Sequence, residues 1–348
     1  MRLLFLTTRR SKPSFRFRVQ QVLPFFRDRG HDCETVLLPD SFFDRMGLFK
    51  TAADYDAVVL QKRMLNRLEL GVLFGFARKL VYDFDDAILY DTDGRTDSRS
   101  VRRFKNIVTA ADLVIAGNDY LAAEARRFSR RVTIVPTPID TERYAPRPHP
   151  RDFAKSLGCD ARTVGRLCRI GWTGSRATNR HLNELFPVLG QLQGRISVHI
   201  LSDSTEFLEF QKLRDVPVEF EHWTPDNEND FPSRFDVGVM PLPDNRWTRG
   251  KCGLKALQYM ALGIPAVCSP VGVNRTIIAH GETGLLADSP DEWLLWLTEL
   301  VDDPLRRYHL GLAGRRRVEA EYSLAKIGPQ FVDAVEAAME PGRRPAAA

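Results

Sequence analysis

The sequence predicts an α/β chain of two parallel-sheet domains in series, and three observations predict it. Short apolar runs of strand length alternate with helical periodicity through both halves, the pattern that parallel sheets with crossover helices require. A proline-rich stretch from Pro146 to Arg151 interrupts that alternation and can continue neither helix nor sheet. The length of 348 residues also exceeds one comfortable core. The boundaries read from this pattern are 1–150 and 151–322 for the two domains. Residues 323–348 form a closing helix that packs back on the first domain, followed by a frayed tail at Pro341–Ala348.

In the first half, Arg2–Thr8 reads as a buried strand. Ser14 is the expected cap of a helix carrying Phe15, Val19, Val22, Leu23 and Phe26 on one face, kinked at Pro24. Strands follow at Asp32–Leu38 and Ala57–Gln61. The loop after the first strand, R-R-S-K-P-S, stands where a dinucleotide site would need G-x-G-x-x-G, which argues against a nicotinamide enzyme. The run K-L-V-Y-D-F-D-D then ends a strand in Asp83, Asp85 and Asp86. Carboxylates at that end of a parallel strand face the crevice where open α/β sheets bind ligands. Three roles are open for them: a helix cap, an acceptor-orienting or basic group, and a divalent-metal site. A basic amphipathic helix around Arg99, Arg102, Arg103 and Lys105 comes next, then a strand at Leu113–Ala116, a turn at Gly117-Asn118, and a strand at Arg131–Pro136.

The second half restarts with a strand at Leu167–Trp172, a turn at Thr173-Gly174-Ser175, and a helix from Thr178 to Leu192. Gly174 and Ser175 allow a close backbone approach, and Arg176 and Arg180 bring cations to the same edge. Three further strands lead into Arg249–Thr283, which reads as glycine loop, helix, strand and second glycine loop. Gly250 and Gly253 open that helix, Leu254 and Leu257 lie on its buried face, and Gly263 ends it. A helix opening beside glycines offers unpaired N–H groups and the positive end of its dipole, so it suits an anion. Lys251 and Lys255, four residues apart, add full charge on one face.

Composition excludes several classes. No apolar run reaches the roughly 20 residues a membrane-spanning helix needs. The five cysteines are scattered without C-x-x-C spacing, against a disulfide framework or zinc site and in keeping with a reducing cytoplasm. The net charge of +5 is spread through both halves with no zinc-finger or RNP signature, so nucleic acid is not the expected partner. The basic residues of the first half (Arg9, Arg10, Lys12, Arg16, Arg18, Arg99, Arg102 and Arg103) leave three readings open: solvated surface, an anionic acceptor, or peripheral contact with the anionic inner face of a membrane.

A-D-L-V-I-A-G-N-D-Y-L and R-V-T-I-V-P-T-P-I-D-T-E-R-Y-A-P in the first half, with D-V-G-V-M-P-L, Q-Y-M-A-L-G-I-P-A-V-C-S-P-V-G, H-G-E-T-G-L-L-A and V-E-A-E-Y-S in the second, resemble the retaining glycosyltransferases of family 4 (group 1). The resemblance covers nearly the whole chain. It implies the GT-B fold, two Rossmann-like parallel-sheet domains facing a central cleft, and transfer of a sugar from a nucleoside-diphosphate sugar to a carbohydrate or lipid-linked acceptor in glycan assembly, with no cofactor and no metal. Carried over by position, it assigns donor binding to Gly174, Ser175, Arg176, Lys251, Gly253, Leu254, Gln258 and Gly272, with Arg180 and Lys255 as catalytic cations. Asp85 or Asp86 would orient the acceptor hydroxyl in place of the family's histidine. The chain departs from the family at two positions, where paired glutamates are replaced by Gly250 and Gln258. Those departures keep in view a catalytically silent sugar-nucleotide binder; a sugar-nucleotide epimerase, which shares the two-domain architecture, gains no support from the glutamate missing at Gly250.

Overall fold

Strands that are buried on both faces carry almost no polar residues, and Leu80–Phe84 (LVYDF) is buried at every position, as the middle of a parallel sheet requires. The computed structural model describes residues 1–146 and 167–340. Most of the Pro146–Arg151 linker and the Pro341–Ala348 tail therefore lie outside the described residues. The chain divides into two compact units: Met1–Asp140 with Asp244–Cys252 and Tyr322–Ala348, and Thr141–Pro243 with Gly253–Glu321. The sequence reading draws its boundaries at 150 and 322; the contacts add residues 244–252 to the first unit.

The first unit holds a six-stranded parallel sheet in the order β2-β1-β3-β4-β5-β6. Its strands are β1 (Arg2–Thr7), β2 (Asp32–Leu37), β3 (Ala57–Gln61), β4 (Leu80–Phe84), β5 (Leu113–Ala116) and β6 (Val132–Ile134). One face, including Leu4, Leu60 and Tyr82, is covered by helices Phe42–Lys50, Arg67–Phe76, Ser98–Ala110 and Asp119–Arg126. The other face, including Phe5 and Val59, packs on Phe26, Phe331 and Val335. The last two belong to the closing helix Leu324–Met339, which Arg29 and His31 also grip through Glu336.

The first connection differs from the expected kinked helix. Ser14 lies inside a short turn, Pro13–Phe15, and caps nothing, its carbonyl accepting instead from Gln61. The chain continues as a π-helical segment, Arg16–Gln20, and Pro24 sits in the opening turn of a separate helix, Leu23–Asp28, where its missing N–H costs no bond. Arg16 and Arg18 are turned inward and buried, so neither belongs to a basic surface.

The second unit has its own six-stranded parallel sheet, ordered β12-β11-β10-β7-β8-β9. Its strands are β7 (Cys168–Gly174), β8 (Ile196–Ser202), β9 (Val218–His222), β10 (Val237–Met240), β11 (Ala266–Cys268) and β12 (Leu285–Leu286). The single helix expected over Thr178–Leu192 is two, Arg176–Asn183 and Phe186–Gly190, because Pro187 starts a new helix and cannot continue an old one. In each sheet the strand order reverses once, between β1 and β3 and between β7 and β10, and the crevice at such a reversal is where this architecture binds ligands. Among the described residues no helix is long and apolar enough to cross a membrane.

Candidate functional site

At the reversal of the first sheet, Asp83 separates from the other two carboxylates. It is buried in β4 and forked by the equally buried Arg18, with Nη2 2.6 Å from Oδ1 and Nε 3.1 Å from both oxygens. Arg18 also donates to the Val135 carbonyl at 2.8 Å. Asp83 is thus held in a structural ion pair, and among the described residues no group of three His, Cys, Asp or Glu is placed to hold a metal ion.

Asp85 and Asp86 lie at the strand's exit among lysines. Lys62 Nζ is 3.4 Å from Asp85 Oδ1 and 3.1 Å from Asp86 Oδ2, and Lys251 Nζ is 3.2 Å from Asp86 Oδ1. Burial works to raise the Asp86 pKa, yet Lys251 and Lys62 together hold it well below the usual carboxylate range. Burial likewise opposes the charge on Lys62, and Asp85 and Asp86 more than offset it, so its pKa rises. Asp86 is therefore a fixed anion at neutral pH. Lys62, which directly follows β3, was not singled out in the sequence; its backbone is left-handed (φ +57°), a conformation that costs a non-glycine residue about 1 kcal/mol.

The pairing predicts an acid dependence with a definite sign. Because the folded pKa of Asp86 lies below its unfolded value of about 3.9, its contribution is fully present above that value and fades as pH falls through the folded one. Asp86→Asn should therefore be less stable than the parent in urea at pH 6, with the gap closing as the pH is lowered below about 4. A gap that widened in acid would contradict this assignment.

Residues 244–252 are fixed to the same cluster. The short helix Arg246–Arg249 buries Trp247 in the first unit's core, and Lys251 Nζ lies 3.5 Å from the centre of that ring. The Asn118 amide donates to the carbonyls of Gly250 and Lys251 at 3.3 and 3.1 Å, while its oxygen accepts from Leu121 N at 2.9 Å. Cys252 Sγ reaches the Asp85 carbonyl at 3.2 Å, and burial pushes its thiol up to about 12. Lys251, expected at the donor, thus belongs to the carboxylate cluster of the first unit.

Gly250 is pressed onto the same surface. A Cβ there would lie 2.4 Å from Ala87 Cβ and 3.0 Å from Ala87 N. No side chain fits, so the family's glutamate has no room at this position. Gly250→Ala should destabilise by about 2 kcal/mol in urea unfolding, since the backbone beside it must shift; a change under about 0.5 kcal/mol would mean that the contact yields freely.

In the second unit the reversal lies between β7 and β10. Gly174 ends β7, and Ser175 caps Arg176–Asn183 with a reciprocal Ser175–Thr178 capping box. Gly253, with φ +69°, precedes helix Leu254–Ala261, which no side chain caps. A Cβ on Gly253 would meet Ile277 Cδ1 at 2.2 Å, so both the dihedral and the space require glycine. The opening turn of that helix presents its N–H groups with Leu254 and Lys255, and Lys255 Nζ lies 5.5 Å over the ring of Trp172 in β7. Gly272, with φ +54°, lies in the loop after β11.

The remaining predicted residues have partners of their own within the second unit. Arg176 is held by Glu206 at 2.5 and 2.6 Å, and Arg176 and Arg180 both lie over the exposed ring of Phe207, at 5.3 and 6.0 Å. Gln258, matched to the family's ribose contact, is buried and donates to the Tyr144 hydroxyl at 2.8 Å. Phe207 and Tyr144 carry no local sequence signal, since each meets its partner only after the fold has formed.

Residues 167–303 match the family model described as glycosyl transferases group 1. A D-inositol 3-phosphate glycosyltransferase of Thermobispora bispora is 36% identical over 107 residues, which is 30% of this chain and 24% of that protein. Another of that description, from Kineococcus radiotolerans, is 28% identical over 269 residues, covering 67% of this chain and 59% of its own. The chain thus matches under two thirds of the length of these curated relatives. Among solved structures, the sucrose-phosphate synthase of Thermosynechococcus elongatus superposes with a TM-score of 0.74 at 16% identity, covering 97% of this chain and 99% of that one. Anabaena HepE in complex with UDP and glucose gives 0.72 at 15%, covering 97% and 100%. Over residues 167–303 the chain is similar to the group 1 glycosyl transferases, and its fold is GT-B.

Proposed function

We propose that this chain transfers a glycosyl group from a nucleoside-diphosphate sugar to an acceptor hydroxyl, with retention and without a metal, in the assembly of a glycan or glycolipid. The observation that carries this reading is the uncapped helix Leu254–Ala261, opening on left-handed Gly253 with Lys255 in its first turn, inside the segment that matches the family. Negative charge develops on the departing diphosphate as the sugar–oxygen bond breaks. Fixed N–H groups and a cation aimed there stabilise the transition state more than the ground state. The leaving phosphate then takes the acceptor's proton, so no separate base is required. Asp86 suits that scheme as a fixed anion, and Asp85 is the carboxylate assigned to orient the acceptor hydroxyl. The setting that goes with this reading is cytoplasmic and peripheral to a membrane. Names among the similar proteins support the donor class: HepE is described with UDP and glucose, and a Corynebacterium glutamicum relative as GDP-mannose-dependent.

A screen of UDP-, GDP-, ADP- and dTDP-sugars by thermal shift tests the donor. One nucleotide class should stabilise the fold by about 2.7 kcal/mol at a hundred times its dissociation constant. No shift with any of them would overturn the reading. A second reading, a sugar-nucleotide binder that does not transfer, draws on the pressed Gly250 and the Tyr144-bound Gln258. It predicts a shift without release of nucleoside diphosphate when acceptor is supplied.

A further inference from the structure

We propose that Ser197, His199 and Glu219 form a second site in this chain, a serine nucleophile with its own base that hydrolyses short-chain carboxylic esters. The site does not depend on the transferase reading. Its residues lie in the opening halves of β8 and β9, at the amino end of the second unit's sheet, whereas ligands of the transferase reading belong at the carboxyl ends of the strands.

Alternation along β8 explains how the three side chains meet. Ile196, Val198 and Ile200 belong to the apolar core of the second unit, so Ser197 and His199 share the other face of the strand. In the parallel register His199 pairs with Glu219 of β9, and Ser197 pairs with Arg169 of β7. The His199 ring is buried, with the ring centres of Phe231 and Phe235 at 6.2 and 6.4 Å. Its Nε2 lies 2.9 Å from Ser197 Oγ and its Nδ1 3.1 Å from Glu219 Oε2. A carboxylate beside Nδ1 favours the ring proton there, which leaves Nε2 as the acceptor for the serine hydroxyl. Nucleophile, base and orienting carboxylate thus follow one another at contact distance, the arrangement that activates a serine.

All three residues line a cavity of about 340 Å³, so the relay opens onto space that a ligand can enter. Leu167, Pro217 and Val218 give that cavity an apolar wall, which suits a short acyl chain. Arg169 lines it as well; Asp236 holds its Nε and Nη2 at 3.2 Å each, and Nη1 is left to meet an oxyanion. Ser197 Oγ bonds to the ester carbonyl carbon, its proton passes to His199 Nε2, and the carbonyl electron pair moves onto oxygen. That pair then returns, the bond from carbon to the alkoxy oxygen breaks, and the departing alcohol takes the proton from Nε2. Water repeats the attack on the acyl-serine, releasing the carboxylic acid and restoring the proton to Oγ.

Fluorophosphonate labelling of the full chain, with the modified peptide mapped by mass spectrometry, and hydrolysis of p-nitrophenyl acetate test the site together. The folded parent should be labelled at Ser197, and that label should be lost when the chain is unfolded in urea. Ser197→Ala should abolish the label and, like His199→Gln, lower the ester rate by about a hundredfold or more. Ser197 is only half-buried, so Ser197→Ala keeps the test decisive if His199→Gln fails to fold. Glu219 acts through His199: Glu219→Gln should lower kcat by about tenfold or more with KM unchanged, and Glu219→Asp should recover part of the loss. No label at Ser197 in the folded parent, equal labelling of the unfolded chain, or an ester rate unchanged in Ser197→Ala overturns the proposal.

Discussion

Lys255→Ala should lower glycosyl transfer by about a hundredfold while leaving the unfolding midpoint nearly unchanged. The size follows from what one fixed donor is worth at a developing oxyanion in a water-poor site, about 3 kcal/mol of barrier. Lys255 bears on charge that appears as the diphosphate leaves, so the loss should fall on kcat more than on KM. Lys255→Arg should recover part of the rate, since charge survives although its position shifts. Arg180 provides the contrast: exposed and 6.0 Å from the Phe207 ring, it should cost much less when replaced. Wild-type kcat in Lys255→Ala would remove this lysine from the chemistry and with it the leaving-group role given to the helix.

Asp83→Asn should destabilise the first unit by about 3–5 kcal/mol, the cost of leaving a buried charge without its partner. Arg18 is fully buried, keeps its proton at all accessible pH, and has Asp83 as its carboxylate. Removing the anion while keeping the cation is the costly half-measure. Arg18→Met combined with Asp83→Leu should restore most of the loss, because a buried ion pair and a well-packed apolar pair of similar volume differ little in net free energy. Urea unfolding of the single and double variants decides the matter. A single variant within about 1 kcal/mol of the parent would show that the pair contributes little to the fold.

Much of this could be read from the chain alone. Eleven of the twelve described strands follow stretches named from the sequence, the two-residue β12 being the exception, and the Gly253–Lys255 opening is local chemistry: a left-handed glycine, a helix start and a cation four residues beyond another. Asp83 marks the limit. In sequence it is one of three similar carboxylates, and only Arg18, sixty-five residues earlier, makes it structural. Lys251 looked like the companion of Lys255 on a helical face, but the helix starts after it, and Asp86 claims it from 165 residues away. Lys62 could have been found from topology, because it follows the strand beside the reversal of the sheet; the residue itself gives no hint. Local pattern fixes elements, whereas the identity of a charge's partner is decided by long-range register.

The short stretch 244–252 has a consequence for how the protein is made. Trp247 completes a core whose strands end before residue 140, and the helix closing the opposite face of that sheet ends at Met339. A ribosome making this chain therefore delivers the first sheet's strands well before residues 244–252, and those well before the closing helix Leu324–Met339. Fragments cut at the linker should behave as partners that need one another to fold, and mixing them should recover more structure than the sum of each alone.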